Sequence, residues 1–249
     1  MTQHLRIGWL YPELMNIYGD RGNIIVLANR LKWRKIGVEI LELGLNFDDK
    51  KLNDCDMFLM GGAQDKQQVE VAKDLFKKQK RIKEIIEGGV PGLYICGAYQ
   101  FLGKYYKDAQ GTIIKGLEIF DLYTENPGEN ENRLIGNISL ECSTLGSQLL
   151  GFENHGGRTY LGKDLKPLGK VIKGFGNNGE DDTEGSIYKN SFGTYLHGPI
   201  LPKNPALTDY LIEKALEIKY KEKIKLEKLD DTMEEKARIA IAKRMGITI

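Results

Sequence analysis

The sequence predicts an α/β fold built around a mostly parallel β-sheet. In the first 106 residues, short apolar segments of strand length alternate with longer segments whose apolar residues recur at helical spacing. This alternation is typical of a parallel sheet with right-handed crossovers. Glycine pairs at 61–62 and 88–89 separate the segments. The chain has 249 residues, of which 41% are hydrophobic and 29% charged, a balance that suits one large globular domain.

Four strands are expected in the first half of the chain. The second alternates apolar and polar residues, and the third is an apolar run that ends at Gly61 and Gly62. In a parallel sheet the functional site lies beyond the carboxyl ends of the strands. The predicted strands are Leu5–Tyr11, Val38–Leu43, Asp56–Met60 and Val90–Ile95.

Three helices are expected between and after these strands. The first carries apolar residues every three or four positions and is expected to stop at Gly37, a residue type that commonly ends helices. The second is rich in lysine on one face and ends at the glycine pair 88–89. The predicted helices are Arg21–Ile36, Gln67–Glu87 and Ala98 to about Tyr106.

The second half has a different character. Residues 111 to about 195 are rich in Gly and Asn, and short apolar runs predict antiparallel or mixed edge strands that cover the site. Amphipathic spacing predicts two final helices. We therefore expect a single domain over residues 1–249, with a core at about 5–200 and helices within 205–249. The strands predicted here are Ile135–Leu140, Val171–Ile172 and Ser191–Tyr195, and the helices are Pro205–Lys219 and Asp230–Met245.

Charge and composition exclude several function classes. The net charge is +1, so no strong field favours nucleic acid or an acidic membrane surface. The sequence contains neither a signal peptide nor an apolar run long enough to span a bilayer, and we expect a cytoplasmic protein. The three cysteines are far apart and no Cys/His pair has zinc spacing, so neither disulfides nor a metal site is expected.

Cys96 is the candidate nucleophile. It stands between a short apolar strand and a helix, in the segment from Pro91 to Gln100. A sharp strand-to-helix turn holds its central side chain exposed and fixed, as in a nucleophile elbow. The positive end of the following helix favours the thiolate, which is the reactive form of cysteine. Cys55 and Cys142 lack this context and are expected to be structural.

A cysteine nucleophile needs a general base that is near it in space. His197 directly follows a predicted strand, which places it at the end of the sheet where Cys96 lies. His155 is the competing candidate, although its Gly-rich surroundings favour a role in stabilising a tight loop. We expect His197 to be the base.

Two further groups complete a possible site for an acyl substrate. Backbone amides after the third and fourth strands, at Gly62 and Gly97, are candidate donors to a tetrahedral oxyanion. An arginine is the natural partner of a substrate carboxylate, because its guanidinium binds carboxylates in a bidentate manner. Arg133 and Arg158 are the candidates.

Three motifs resemble those of class I (triad-type) glutamine amidotransferases, in the branch related to cobyric acid synthase. They are Met60-Gly61-Gly62, the segment Tyr94 to Gln100, and Tyr195-Leu196-His197-Gly198-Pro199. The resemblance implies a three-layer sandwich with a mostly parallel central sheet. It also implies that the cysteine attacks the side-chain amide of L-glutamine, that ammonia leaves, and that a glutamyl thioester is hydrolysed. It implies no cofactor in this chain.

Four segments are more specifically similar to the glutaminase subunits of lipid II isoglutaminyl synthases. Those subunits form a heterodimer with a Mur-ligase-like subunit, which uses ATP to activate the α-carboxylate of the stem-peptide D-glutamate in lipid II. Ammonia then gives D-isoglutamine, at the inner face of the membrane. The resemblance also implies that Arg133 contacts the substrate glutamine. The segments are Tyr18–Ile24, Gly97–Gly103, Arg133–Asn137 and Gly151–Thr159.

One departure from the class I pattern leaves the third catalytic residue open. Many of these enzymes carry a glutamate two residues after the histidine, and this chain has Pro199 there. Asp20 and Glu153 are the candidates for orienting His197. Three other readings also stay open: a different acceptor such as cobyrinic acid, a catalytically silent scaffold subunit, and an unrelated elbow-cysteine hydrolase.

Overall fold

The computed structural model describes residues 3–249. The strands are β1 (His4–Leu10), β2 (Gly37–Leu43), β3 (Met57–Met60), β4 (Gly92–Ile95), β5 (Tyr105–Lys107), β6 (Ile113–Lys115), β7 (Leu122–Glu125), β8 (Leu134–Cys142), β9 (Ser147–His155), β10 (Arg158–Leu161), β11 (Gly169–Lys173), β12 (Thr183–Glu184), β13 (Ser186–Tyr188) and β14 (Ser191–Thr194). The helices are α1 (Arg21–Trp33), α2 (Asp65–Lys77), α3 (Gln79–Glu87), α4 (Gly97–Leu102), α5 (Pro205–Tyr220) and α6 (Thr232–Met245).

The central sheet has six strands in the order β13-β14-β4-β3-β1-β2. Every pair is parallel except β13 with β14, so the predicted mostly parallel sheet is confirmed. Strands β3, β4 and β14 are buried along their whole length. Strands that are covered on both faces read as continuous apolar runs, which is why the sequence identified β3 so clearly.

Helices cover both faces of this sheet. On one face Phe192 of β14 packs edge-on against Tyr210 of α5, with ring centroids 5.6 Å apart. On the other face Tyr94 of β4 lies beside Ile82 and Ile85 of α3. The result is a three-layer sandwich in which the carboxyl ends of β3, β4 and β14 meet at one edge.

The first predicted helix ends earlier than expected, and Gly37 does not stop it. The helix ends at Trp33, Lys35 adopts a left-handed φ of +57°, and Gly37 is already the first residue of β2. The Lys35 amide donates to the Lys32 carbonyl and the Ile36 amide to the Leu31 carbonyl. This is a Schellman ending with lysine in the position that glycine usually occupies.

Two other helix predictions were wrong in extent. The segment Gln67–Glu87 is not one helix, because it breaks at Lys78 between α2 and α3. Lys78 turns inward to bind Asp74 at 2.6 Å, and no glycine or proline marks the break. The helix predicted from Ala98 to about Tyr106 ends at Leu102, and Gly103 follows with extended backbone.

The second half forms two additional four-stranded sheets. Their strand orders are β10-β7-β5-β6 and β12-β11-β8-β9. The expected antiparallel or mixed pairing is present, but the strands make sheets of their own and only β13 adds an antiparallel edge to the central sheet. The two C-terminal helices, α5 and α6, lie close to their predicted bounds.

Candidate active site

Cys96 stands at the turn between β4 and α4. Its φ of +54° and ψ of −109° are unusual for a residue with a side chain and match the strained geometry of a nucleophile elbow. A Cβ atom at Gly97 would lie 2.8 Å from the side-chain amide nitrogen of Gln68, so a larger residue after the cysteine would have to displace the Gln68 side chain. The turn lies where the sequence predicted it, but the prediction of an exposed side chain was wrong, because Cys96 is buried with 6% of its surface exposed.

His197 reaches the same point from the neighbouring strand. Strands β14 and β4 are parallel, with Thr194 opposite Ile95, and the Cys96 amide donates to the Thr194 carbonyl at 2.8 Å. His197 is fully buried. A Cβ atom at Gly62 would lie 3.0 Å from His197 Cε1 and 3.1 Å from Cys96 Cβ, so both side chains contact the same glycine.

Asp20 holds the other side of the imidazole. Its Oδ1 lies 3.4 Å from His197 Nδ1, and its Oδ2 accepts a hydrogen bond from the Gly62 amide at 2.8 Å. Burial alone would lower the pKa of His197, but the adjacent Cys96 and Asp20 raise it to about 10. This environment favours the imidazolium form of His197.

The Gly62 amide is therefore engaged with Asp20, which removes it as an oxyanion donor in this arrangement. The Gly97 amide differs, because it is the first of α4 and has no acceptor within the helix. Of the two candidate oxyanion donors, the structure leaves Gly97.

Glu153 occupies a different environment from Asp20. Its carboxylate accepts hydrogen bonds from the amides of Phe175 at 2.8 Å and Gly176 at 2.9 Å. Its nearest histidine is His155, whose Nε2 lies 3.9 Å away. Of the two carboxylates left open by the sequence, Asp20 is the one that contacts His197.

His155 is built into a loop rather than against the nucleophile. Its Nδ1 lies 2.8 Å from the Gly157 carbonyl, and its ring stacks on Tyr195 with centroids 3.6 Å apart. Burial lowers the pKa of His155. A neutral, stacked imidazole of this kind stabilises a loop.

A cavity of about 310 Å³ opens beside Cys96. The sheets of the second half form one wall, as the sequence analysis expected of strands that cover the site. Arg133 is part of this wall, where its Nε and Nη2 donate to the side chain and the carbonyl of Asn154, both at 2.9 Å. The lining residues are Ile17, Tyr18, Ala63, Gln64, Gln68, Cys96, Gln100, Tyr106, Arg133, Asn154, His155, Gly156 and Gly157.

Arg158, the second candidate arginine, does not line the cavity. It donates to the Gly156 carbonyl at 2.8 Å and to the Asn132 carbonyl at 2.7 Å, which fixes the loop behind Arg133. Sequence reasoning also missed Tyr18, whose ring packs edge-on against His197 at 4.9 Å. Its position two residues before Asp20 was the available signal.

Within residues 3–249, no group of three or more His, Cys, Asp or Glu side chains is placed to hold a metal ion. No helix in that range is long and apolar enough to cross a membrane.

The sequence was compared with known families and proteins. Residues 6–205 match the model of the CobB/CobQ-like glutamine amidotransferase domain. The chain is 52% identical to a protein of Staphylococcus aureus (strain N315) named lipid II isoglutaminyl synthase (glutamine-hydrolyzing) subunit GatD, over 86% of each chain. It is 43% identical to the subunit of the same name from Streptococcus pneumoniae (strain ATCC BAA-255 / R6), over 92% of this chain and 87% of that one.

Solved structures share the fold at low identity. A crystal structure titled glutamine amidotransferase aligns with a TM-score of 0.58 and 16% identity, over 84% of this chain and 98% of that one. The glutaminase domain of Trypanosoma brucei CTPS with bound acivicin aligns with a TM-score of 0.52 and 11% identity, over 90% and 96%.

Proposed function

Because the chain belongs to the CobB/CobQ-like glutamine amidotransferase family, we propose that it is the glutaminase subunit of a lipid II isoglutaminyl synthase and hydrolyses L-glutamine through Cys96. One observation carries the chemistry: Cys96 stands at a strained elbow, next to a buried His197 that contacts Asp20, and opens on a cavity lined by Arg133. Identity of 52% and 43% to two subunits of that name supports the pathway.

In the first step the Cys96 thiolate attacks the side-chain carbonyl carbon of glutamine. The developing oxyanion accepts a hydrogen bond from the Gly97 amide, which also lies at the positive end of α4. The His197 imidazolium then donates its proton to the leaving nitrogen. The C–N bond breaks, ammonia departs, and a glutamyl thioester remains on Cys96.

In the second step His197 accepts a proton from water. The resulting hydroxide attacks the thioester, the C–S bond breaks, and glutamate leaves with Cys96 restored as the thiolate. Asp20 keeps the imidazole oriented and stabilises its charged form throughout, as the third member of a triad does. The balance is one glutamine and one water consumed for one glutamate and one ammonia released.

Arg133 supplies the substrate contact. Its side chain lines the cavity, and its guanidinium would pair with the α-carboxylate of glutamine. The two hydrogen bonds to Asn154 hold its side chain in place before substrate arrives.

The ammonia is used by a second subunit. We propose a Mur-ligase-like partner in a heterodimer, which uses ATP to activate the D-glutamate α-carboxylate of lipid II at the inner face of the membrane. Ammonia from the Cys96 site then forms D-isoglutamine. ATP belongs to the partner, and this chain needs no cofactor for hydrolysis.

The experiment is ammonia release from L-glutamine by the purified chain, alone and with the Mur-ligase-like partner, ATP and lipid II. The proposal expects lipid II amidation only with both chains, and loss of ammonia release in C96A. C55A is the matched control, because Cys55 is also buried but lies outside the cavity. Ammonia release without lipid II amidation would move the proposal to another acceptor, and no release in any mixture would favour a silent scaffold.

A further inference from the structure

Lys203 binds the main chain of residues 197–199 through its ammonium, and these three residues are called the histidine loop. It lies in a short 3-10 turn, Leu201–Lys203, six residues after His197. Its Nζ donates to the carbonyl oxygens of His197 at 3.3 Å and Pro199 at 3.2 Å, and to that of Gly198 between them. A lysine ammonium has three N–H donors, so three successive carbonyls use all of them.

Residues 197–199 leave the strand pairing after His197 and depend on contacts with other parts of the chain. His197 pairs with Phe152 of β9 through its own amide and carbonyl, but Gly198 leaves that pairing with a left-handed φ of +76°. Pro199 has no amide hydrogen to donate. It instead packs on Gly22, where a Cβ atom would lie 2.4 Å from the Pro199 ring. Gly22 is two residues from Asp20, so the loop touches the segment that carries the triad carboxylate.

The turn that carries Lys203 is itself anchored. Arg238 of α6 donates to the Lys203 carbonyl at 2.8 Å and to the Asn204 side-chain oxygen at 3.0 Å. Asn204 in turn donates to the carbonyls of Leu150 and Ile200, both at 2.8 Å. Lys203 therefore extends from a fixed base toward the histidine loop.

Burying a cation costs free energy, and the pKa of Lys203 is lowered by that burial. An apolar side chain of the same length would avoid this cost. The charge is thus better explained by what it contacts than by a gain in packing.

We propose that Lys203 is a positioning residue that acts through His197: by binding the carbonyls of residues 197–199, it keeps the imidazole between Asp20 and Cys96. This inference rests on the proposed function of the same site. It predicts that loss of the ammonium lowers turnover and leaves glutamine binding nearly unchanged, because Arg133 and the cavity wall are not touched.

The charged groups around His197 fix the sign of a pH effect. Cys96 on the β4 elbow and Asp20 on the β1–α1 loop stabilise the imidazolium of His197. Buried Glu184 also interacts electrostatically with His197. The Lys203 cation, bound to the His197 carbonyl, disfavours the imidazolium by charge alone. If Lys203 only added positive charge, its removal would raise the pKa of His197. If it positions the ring, its removal lets the imidazole move away from Asp20 and Cys96, and the pKa falls.

The test compares K203M, K203R and K203Q with the wild type in two assays. The first is the pH dependence of Cys96 alkylation by iodoacetamide in a C55A/C142A background, which needs no glutamine. The second is kcat and KM for ammonia release from glutamine. K78M is the matched control, because Lys78 is a buried lysine paired with Asp74 in a region outside the cavity.

We expect K203M to lower kcat about 10- to 100-fold, the size of effect that misplacement of a catalytic group produces. KM should stay within about twofold, and the alkaline limb of Cys96 alkylation should move to lower pH. K203R should restore both, and K203Q, which keeps two donors without charge, should fall between. K78M should lower the melting temperature alone.

The proposal is overturned if K203M keeps the wild-type kcat and alkylation profile while its melting temperature falls as in K78M. It is also overturned if the alkaline limb moves to higher pH. Should K203M not fold, a wild-type kcat and alkylation profile in K203Q would have the same meaning. If the wild type releases no ammonia, the proposed function fails, and the alkylation profile still decides the role of Lys203.

Discussion

Asp20 Oδ1 lies 3.4 Å from His197 Nδ1, although 177 positions separate the two residues. Asp20 comes from the loop after β1 and His197 follows β14, and the two meet because both segments end at the same edge of the central sheet. The carboxylate also accepts the Gly62 amide, so one side chain fixes both the imidazole and the turn after β3.

We expect D20N to lower kcat by at least about 100-fold with little change in KM. The asparagine side chain fits the same space but cannot stabilise the imidazolium or enforce its tautomer. Steady-state ammonia release measures the effect. E153Q is the comparison. Its main effect should be a lower melting temperature, with little effect on kcat. The opposite result, a rate loss in E153Q and not in D20N, would make Glu153 the orienting group.

Mutation should distinguish the role of His197 in catalysis from the role of His155 in stability. H197A removes the proton donor and acceptor, and general acid–base catalysis is worth about 100- to 10,000-fold, so kcat should fall by that order. H155A instead removes the stack on Tyr195 and the contact to the Gly157 carbonyl. It should reduce the free energy of unfolding by about 1–3 kcal/mol, measured by urea titration. A larger rate loss in H155A than in H197A would reverse the two assignments.

Arg133 should govern substrate binding. R133K keeps the charge but loses the planar two-donor geometry, and we expect KM for glutamine to rise about 10- to 100-fold with a smaller change in kcat. R158K is the control, since Arg158 holds the neighbouring loop and does not line the cavity. Equal increases in KM for the two variants would show that the loop, and not the Arg133 guanidinium, sets the affinity.

Cys96 should store strain that its function requires. Glycine adopts its φ of +54° and ψ of −109° without steric cost, whereas alanine, like cysteine, adopts them only with strain. C96G and C96A should both lack ammonia release, and C96G should be more stable by about 1–3 kcal/mol in urea unfolding. Since both variants remove the thiol, the difference isolates the backbone. Equal stabilities would mean that the elbow is not strained.

The sequence predicted those elements of the structure that have a local sequence signal of their own. Strands β3 and β4 and the elbow at Cys96 were found because an apolar run followed by glycine is a local signal. The break at Lys78 was missed because no glycine or proline marks it, and the contact of Lys78 with Asp74 has the i,i+4 spacing of a continuous helix. Short strands of mixed polarity, such as β5 and β7, gave no periodic signal at all.

The candidate site could likewise be predicted from the sequence only where a residue stands in a recognisable segment. Cys96, His197 and Arg133 were predicted from their segments, and all three lie at or beside one cavity, while their roles stay predictions. The choice between Asp20 and Glu153 could not be made, because it depends on which loop folds over the imidazole. The hydrogen bond from the Gly62 amide to Asp20 could not be predicted from the sequence either, since it is a contact between two loops.

Glu184 should make stability depend on pH. Burial raises the pKa of Glu184 to about 8, partly offset by hydrogen bonds from the Tyr195 amide and the Thr194 hydroxyl. The unfolded chain has the ordinary value near 4.5, so between these two pH values the folded state holds a proton that the unfolded state has lost. The free energy of unfolding therefore falls as pH rises through this window.

E184Q replaces this carboxyl with a neutral amide of the same shape and should remove that part of the pH dependence. Urea unfolding at pH 5 and pH 8 measures it: the wild type should lose more stability than E184Q between the two pH values, so the variant gains relative to the wild type at pH 8. E180Q is the control, because Glu180 lies on the exposed surface nearby. If the wild type and E184Q change in parallel from pH 5 to pH 8, then Glu184 is already ionised in the folded protein, and the Tyr195 and Thr194 donors outweigh its burial.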